Sequence, residues 1–478
     1  MQHYIGLNQR ELDKHRINVP IIYDPTILIN AHILISGMSG MGKSTQAGNF
    51  LSSAAHAGIE LDIFDPHDEL ENVPGATACI FSQATGYGYN PLVLDTNPHT
   101  GGVNSQVDFF VRLIKNVTPQ FGIKQESALR SLLADTYAAY NITQEDPRSW
   151  HKQSINETTR LALLEAGELD QLHQCYPTLE DLMALALEKV IGLTIGIDNK
   201  CVTALEQHSR LLKRHDIILN KKIRSVSDEE IRKLEGQIKN QKKACCEAYD
   251  TYIYARDTGR EIDDIIKYDS VTVLTSVLQR IKLLGATGIL SANEPPFRNS
   301  KVRVHQIKAL SHDQQVLYVK LRLQNIFDCC KRKGQVPPGS IPRHIVYLDE
   351  AHKYFTPEPD DIINIIAKES RKFGLGLWCA SQEPTSFPES FLTNVGTTIL
   401  LGIHTSYWKR AASMFRISED MLKGIKPKEI MAVKMLRDGC VDPPFMNVVV
   451  PNPNSEMGRR AAAVTTQIGE VISDATSI

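Results

Sequence analysis

No uninterrupted apolar run in this chain approaches the roughly 18 residues that a membrane-spanning helix needs, and the first residues contain no apolar signal core. The sequence therefore predicts a cytoplasmic protein with no direct membrane span, whose only route to a membrane is a partner. Nine cysteines, among them the neighbours Cys245-Cys246 and Cys329-Cys330, show neither metal-ligand spacing nor a disulfide framework. Such an odd, unpatterned set fits free thiols in a reducing compartment. A dominant charge is missing as well. With 53 basic and 55 acidic residues the net charge is −2, so no global basic field advertises nucleic acid. A protein can hold DNA through one local basic surface, so DNA is not excluded as a substrate. There is no internal repeat. What remains, 42% hydrophobic and 23% charged residues in a chain of 478, is ordinary for a soluble globular protein with a large core.

Against these absences, Gly37-Met38-Ser39-Gly40-Met41-Gly42-Lys43-Ser44 reads G-x-x-x-x-G-K-[ST], the phosphate-binding loop of nucleoside triphosphatases. Its setting is right. The apolar run Ile33-Leu34-Ile35 predicts a buried strand before it, and Thr45 to Ala55 predicts a helix after it. Glycines let the backbone turn its N–H groups toward phosphates, and the helix N-terminus adds a positive dipole end. Lys43 is placed to reach the β- and γ-phosphates, and the Ser44 hydroxyl to ligate Mg²⁺. A second strand, His344-Ile345-Val346-Tyr347-Leu348, ends in Asp349-Glu350. Asp349 fits a Walker B carboxylate holding Mg²⁺, and Glu350 a general base polarising the attacking water. Both catalytic ends are expected at the carboxyl edge of one parallel sheet. The strand Leu375 to Ser381 ends in Gln382, where the amide could sense the γ-phosphate. Just upstream, Arg371 is either a surface salt-bridge donor or an arginine finger for a neighbouring subunit.

The pattern along the chain divides it. Residues 1–30 form a leader with one or two edge strands; 31–104 and 285–452 alternate strands and helices and form the two parts of an ATPase core. Residues 105–284 read as an all-α insertion, with a polar hairpin projecting over about 201–260, and 453–478 as a flexible tail. In the hairpin, Ser227 and Glu230 fit a capping box before a thin stripe of Ile231, Leu234 and Ile238. Its lysines, including Lys239, Lys242 and Lys243, fit a solvated face or an arm that touches DNA or a partner.

Taken in order, Gly37 to Thr45, Phe64-Asp65-Pro66-His67, Tyr347-Leu348-Asp349-Glu350-Ala351-His352 and Ser370-Arg371-Lys372-Phe373-Gly374 through Ser381-Gln382 resemble the HerA/FtsK superfamily of hexameric P-loop motors. That superfamily includes the type IV secretion and conjugative-transfer ATPases. The resemblance covers about residues 20–100 and 265–450. It implies an α/β, RecA-like P-loop NTPase with a mainly parallel sheet, a homohexamer, and ATP-driven movement of double-stranded DNA alongside an effector such as a nuclease or a transfer apparatus. It assigns ATP to Gly37, Ser39, Gly40, Met41, Gly42, Lys43, Ser44 and Thr45, Mg²⁺ to Ser44 and Asp349, and hydrolysis to Lys43, Glu350, Gln382 and Arg371. Two departures concern the pathway: only some 30 residues precede the phosphate loop, where HerA itself has a β-barrel, and the membrane helices that coupling proteins often carry are not seen. Two other readings stand beside the motor: a secretion-type ATPase that energises assembly or export, and a switch whose nucleotide only controls assembly with an effector enzyme.

Overall fold

A computed structural model describes residues 1–117, 120–195, 199–224, 227–255, 264, 266–356, 358–359, 361–440 and 442–475. Two compact units emerge, Met1–Tyr89 with Asn293–Ile478, and Asn90–Ala292.

The first unit is built on one 11-stranded sheet. Its strands are β1 (His3–Asn8), β2 (Pro20–Tyr23), β3 (Ile33–Ser36), β4 (Glu60–Asp65), β5 (Ala76–Ile80), β6 (Val302–Gln306), β7 (His344–Leu348), β8 (Leu375–Ser381), β9 (Thr397–Leu400), β10 (Ile430–Met435) and β11 (Met446–Val449). The order is β2-β1-β11-β10-β9-β3-β8-β7-β4-β6-β5. The seven strands from β9 to β5 are parallel, and the other four extend the sheet antiparallel. The fold is that of a P-loop NTPase. The central strands are buried on both faces, which is why they read as continuous apolar runs. One face packs Ile33, Ile63, Tyr347, Trp378 and Val433 against Phe50 and Leu51 of helix α1 (Lys43–His56). The leader supplies β1 and β2. The segment read as a flexible tail instead carries a helix, Glu456–Ala475, whose Ala461 and Val464 pack on Leu7, Leu12, Ile430 and Val449. Small residues there disguise an apolar stripe.

The second unit is helical and wider than residues 105–284. The extended stretch from Asn90 joins it because Leu92 and Leu94 are buried, Tyr137 Oη donates to the Leu92 carbonyl (3.0 Å), and Gln106 Nε2 to that of Pro91 (2.6 Å). Its hairpin pairs α2 (Asn199–Arg224) with α3 (Asp228–Ala255); residues 225–226 and 256–260 of the hairpin read from the sequence lie outside the described residues. The inward positions are Cys201, Ala204, His208, Leu211, His215, Ile218 and Lys222, facing Ile231, Leu234, Ile238, Gln241, Cys245, Ala248 and Tyr252. Spacings of three and four residues alternate throughout, the signature of a coiled coil. The pairing is antiparallel: Lys222 bonds Glu235 (2.8 Å) near one end, and Cys201 packs with Tyr252 near the other.

Candidate functional site

The phosphate loop bridges the end of β3 and the start of α1. Gly40 (φ 80°) and Gly42 (φ 95°) lie in the left-handed region that side chains disfavour, so the loop can coil only with glycine there. It is tied on both flanks: Gly37 N–H donates to the Ser381 carbonyl (3.1 Å) and Met38 N–H to that of Gly402 (2.9 Å). Because β8 runs between β3 and β7, its end brings Gln382 between the loop and the Asp349-Glu350 pair.

There the side chains converge. Lys43, 8% exposed, places Nζ 2.5 Å from Glu350 Oε1 and 3.4 Å from Asp349 Oδ1. Gln382 Nε2 donates to the same Glu350 oxygen at 2.8 Å, while His352 Nδ1 stands 3.5 Å from the other. Glu350 has φ 47°, a strained left-handed conformation for a side-chain-bearing residue, which turns its carboxylate back over the loop. The two acids titrate apart. Burial and the adjacent Glu350 charge push Asp349 above its ordinary value, against the pull of Lys43. Burial also works to raise Glu350, but hydrogen bonds from Lys43 and Gln382 and the charge of Lys43 hold it below its ordinary value. Two adjacent buried acids shifted in opposite directions are the pattern expected of a reactive or ion-binding site.

Two assigned residues stand differently. Ser44 Oγ donates to Glu69 Oε2 at 2.7 Å, so a cation at Ser44 would compete with that carboxylate for the hydroxyl. Arg371 lies on the turn Ser370–Phe373 at the amino end of β8, the opposite end from the cluster. It is exposed and makes no ion pair among the described residues, so within this chain it touches none of the other site residues. Four participants, His67, Asp65, His352 and Glu69, have no role from the sequence. His67, Asp349 and Glu350 offer ligand atoms within 4.8 Å of one another. Asp65 fixes the turn bearing His67 by accepting from the His67 and Leu70 N–H groups (3.0 and 2.8 Å). His352 bonds Ser381 Oγ at 2.8 Å. The Asp-Pro-His motif after β4 was the available signal for His67; nothing local marks Glu69.

Comparison with known proteins gives a concordant picture. Residues 11–326 match the model of the family described as the helicase HerA central domain. A protein described as a probable helicase, MJECL08 of Methanocaldococcus jannaschii, is 26% identical over 193 residues, 36% of this chain; the chain thus spans only 36% of that relative's length. Among solved structures, VirB4 of Thermoanaerobacter pseudethanolicus is similar over 94% of this chain and 97% of that one, with a TM-score of 0.59 and 16% identity. The plasmid coupling protein TrwB shows a weaker likeness, over 88% and 85% of the two chains, with a TM-score of 0.44 and 11% identity. The family match takes in the phosphate loop and well over half of the residues, and the chain belongs to the family of the HerA helicase central domain.

Proposed function

We propose that this protein is an ATP-hydrolysing, ring-forming motor that moves double-stranded DNA in concert with a partner such as a nuclease or a DNA-transfer apparatus. The observation that carries the reading is the convergence of Lys43, Glu350, Asp349 and Gln382 on a phosphate loop in a chain of the HerA family. The loop from Gly37 to Thr45 cradles the phosphates. Lys43 exchanges its carboxylate partners for phosphate oxygens, which releases Glu350 Oε1 to accept a proton from the attacking water. Gln382, bonded to that same oxygen, keeps the carboxylate aimed and reports on the γ-phosphate. The oxygen-rich donor set of Asp349 and Ser44 suits Mg²⁺, which when bound supplies charge neutralisation on the phosphates. Arg371 serves a neighbouring subunit in a homohexamer, because its end of the sheet is remote from its own chain's site.

Measuring phosphate release with and without double-stranded DNA tests the motor reading. Turnover should rise with DNA, and an Arg371→Ala protein mixed with a Lys43→Ala protein should regain activity, since mixed interfaces restore one intact half. Turnover indifferent to DNA, without such rescue, would favour the secretion-type ATPase. That reading has the VirB4-like fold and the near-neutral net charge in its favour. Nucleotide binding without turnover would favour the assembly switch.

A further inference from the structure

Away from the phosphate loop, the first unit holds a cavity of about 780 Å³, and no residue of the Lys43 cluster lines it. One wall is sheet. Lys434 of β10 stands opposite Thr398 of β9, and Leu436 follows two residues on, on the same face. Another wall is the helix Trp408–Phe415, which brings Arg410, Ser413 and Met414 to the cavity at spacings of three and four residues. Leu392, Phe415 and Phe445 add apolar surface.

The polar groups of this lining are unevenly matched. Asp442 alone serves two cations: Arg416 Nη1 lies 3.2 Å from one of its oxygens and Lys434 Nζ 2.5 Å from the other. Arg410 has no carboxylate partner among the described residues, where Nη2 donates to the Thr385 carbonyl (3.2 Å). Thr398 is only 9% exposed, and its hydroxyl makes no hydrogen bond among the described residues. A buried hydroxyl left without a partner costs free energy that a ligand's polar atom would recover.

We propose that this cavity docks a short segment of a partner protein in which an acidic side chain stands next to a large apolar one. A guanidinium holds a carboxylate through two parallel hydrogen bonds, and Arg410 is the cation here without one. Arg416, which shares Asp442 with Lys434, is the second. The apolar neighbour fills the space beside Leu392, Leu436 and Phe445, and the Thr398 hydroxyl meets a polar atom of the segment's backbone. The volume is within the roughly 300–1,000 Å³ of clefts that enclose a ligand, with the same make-up of apolar walls and a few placed polar groups. Nucleic acid fits less well. Glu389 and Asp442 in the lining would repel a run of phosphates, and the apolar walls have no counterpart in a sugar-phosphate backbone.

Panning a phage-displayed library of short random peptides against the full chain, then titrating the enriched peptides by fluorescence anisotropy, tests this. The enriched peptides should carry Asp or Glu beside Leu, Phe or Trp. Arg410→Glu, which reverses the unpaired cation, and Ser413→Trp, which fills the cavity from an exposed helix position, should each weaken them about tenfold or more. Neither substitution should change ATP turnover or the thermal unfolding temperature, which reports an intact fold. Enrichment without an acidic residue, or peptides indifferent to both variants, overturns the docking site. Duplex DNA that loses affinity on Arg410→Glu while the peptides do not makes the surface a nucleic-acid contact and overturns it equally.

Discussion

Strands β4 and β7 lie side by side, and each carries acids that no apolar strand tolerates without reason; their treatment differs. Asp62, in the middle of β4, is fully buried and accepts from four groups: Arg303 (2.7 Å), Arg322 (3.2 Å), His305 (2.7 Å) and His344 (2.9 Å). Burial alone would raise its pKa, but Arg322, His305 and His344 hold it well below the carboxylate range. At the end of β7, two acids share essentially one ammonium, that of Lys43. A buried carboxylate with a full complement of donors is finished: it has nothing to offer a ligand, and breaking it costs stability. The Asp349-Glu350 pair is under-compensated, which leaves it charge to offer a ligand. Charge balance, more than charge, separates the structural acid from the pair proposed as reactive.

The largest effect expected from this contrast is at the reactive pair. Glu350→Gln should bind ATP yet release phosphate about 10²–10⁴-fold more slowly, the usual loss for a general base. If affinity falls while the rate per bound ATP holds, the roles of the two acids are reversed. At the structural acid the signature should invert. Asp62→Asn leaves the buried Arg322 without its anion and Arg303 with Glu60 alone (3.2 Å), and should cost about 3–5 kcal/mol in urea unfolding, with turnover per folded molecule near wild type. A turnover defect without a stability loss would dissolve the distinction.

Acid should expose the buried imidazoles, one of which, His305, belongs to this network. Burial lowers His3, His32 and His305 to about 4, although Asp62 pulls His305 upward. Unfolded histidines titrate near 6.5, so the unfolded chain takes up protons first as pH falls. Stability should therefore be full above about pH 6.5 and decline toward pH 4, with the contribution of Asp62 disappearing only below that, as pH falls through its depressed folded value. Unfolding free energies that stay flat across pH 6.5–4 would contradict neutral buried histidines. The smallest effect belongs to Gln382. Gln382→Ala removes one hydrogen bond to a charged oxygen, worth about 1.5–3 kcal/mol, and should slow phosphate release by roughly 10–100-fold. An effect as large as that of Glu350→Gln would make the amide a direct participant.

The contrast was half legible in the sequence. The P-loop fold, the mainly parallel sheet and the spacing of the Lys43, Asp349, Glu350 and Gln382 motifs lie in contiguous strand–loop–helix patterns, which local periodicity reveals. The donors to Asp62 come from β6, β7 and the helix His312–Arg332, and only the strand order brings them together. Strands β10 and β11, near the end of the chain, carry no motif and were not singled out. In the hairpin, α3 shows its stripe through Ile231, Leu234 and Ile238, whereas α2 hides its seam behind His208, His215 and Lys222. Arg371 is legible as a finger or as a surface residue, because its position at the amino end of β8 sets it apart from the other site residues of its own chain.

The antiparallel border of the sheet has a practical consequence. β11 is apolar, and β1 covers its open side; β2, four residues long and opened by Pro20, closes the row with a strand too short and too proline-marked to recruit another. Trimming the first two dozen residues would thus strip a cover from Met446–Val449 and leave unpaired N–H and C=O groups along a hydrophobic ribbon. Such a shortened protein should self-associate through that ribbon, even though every residue of the phosphate-loop cluster is still present.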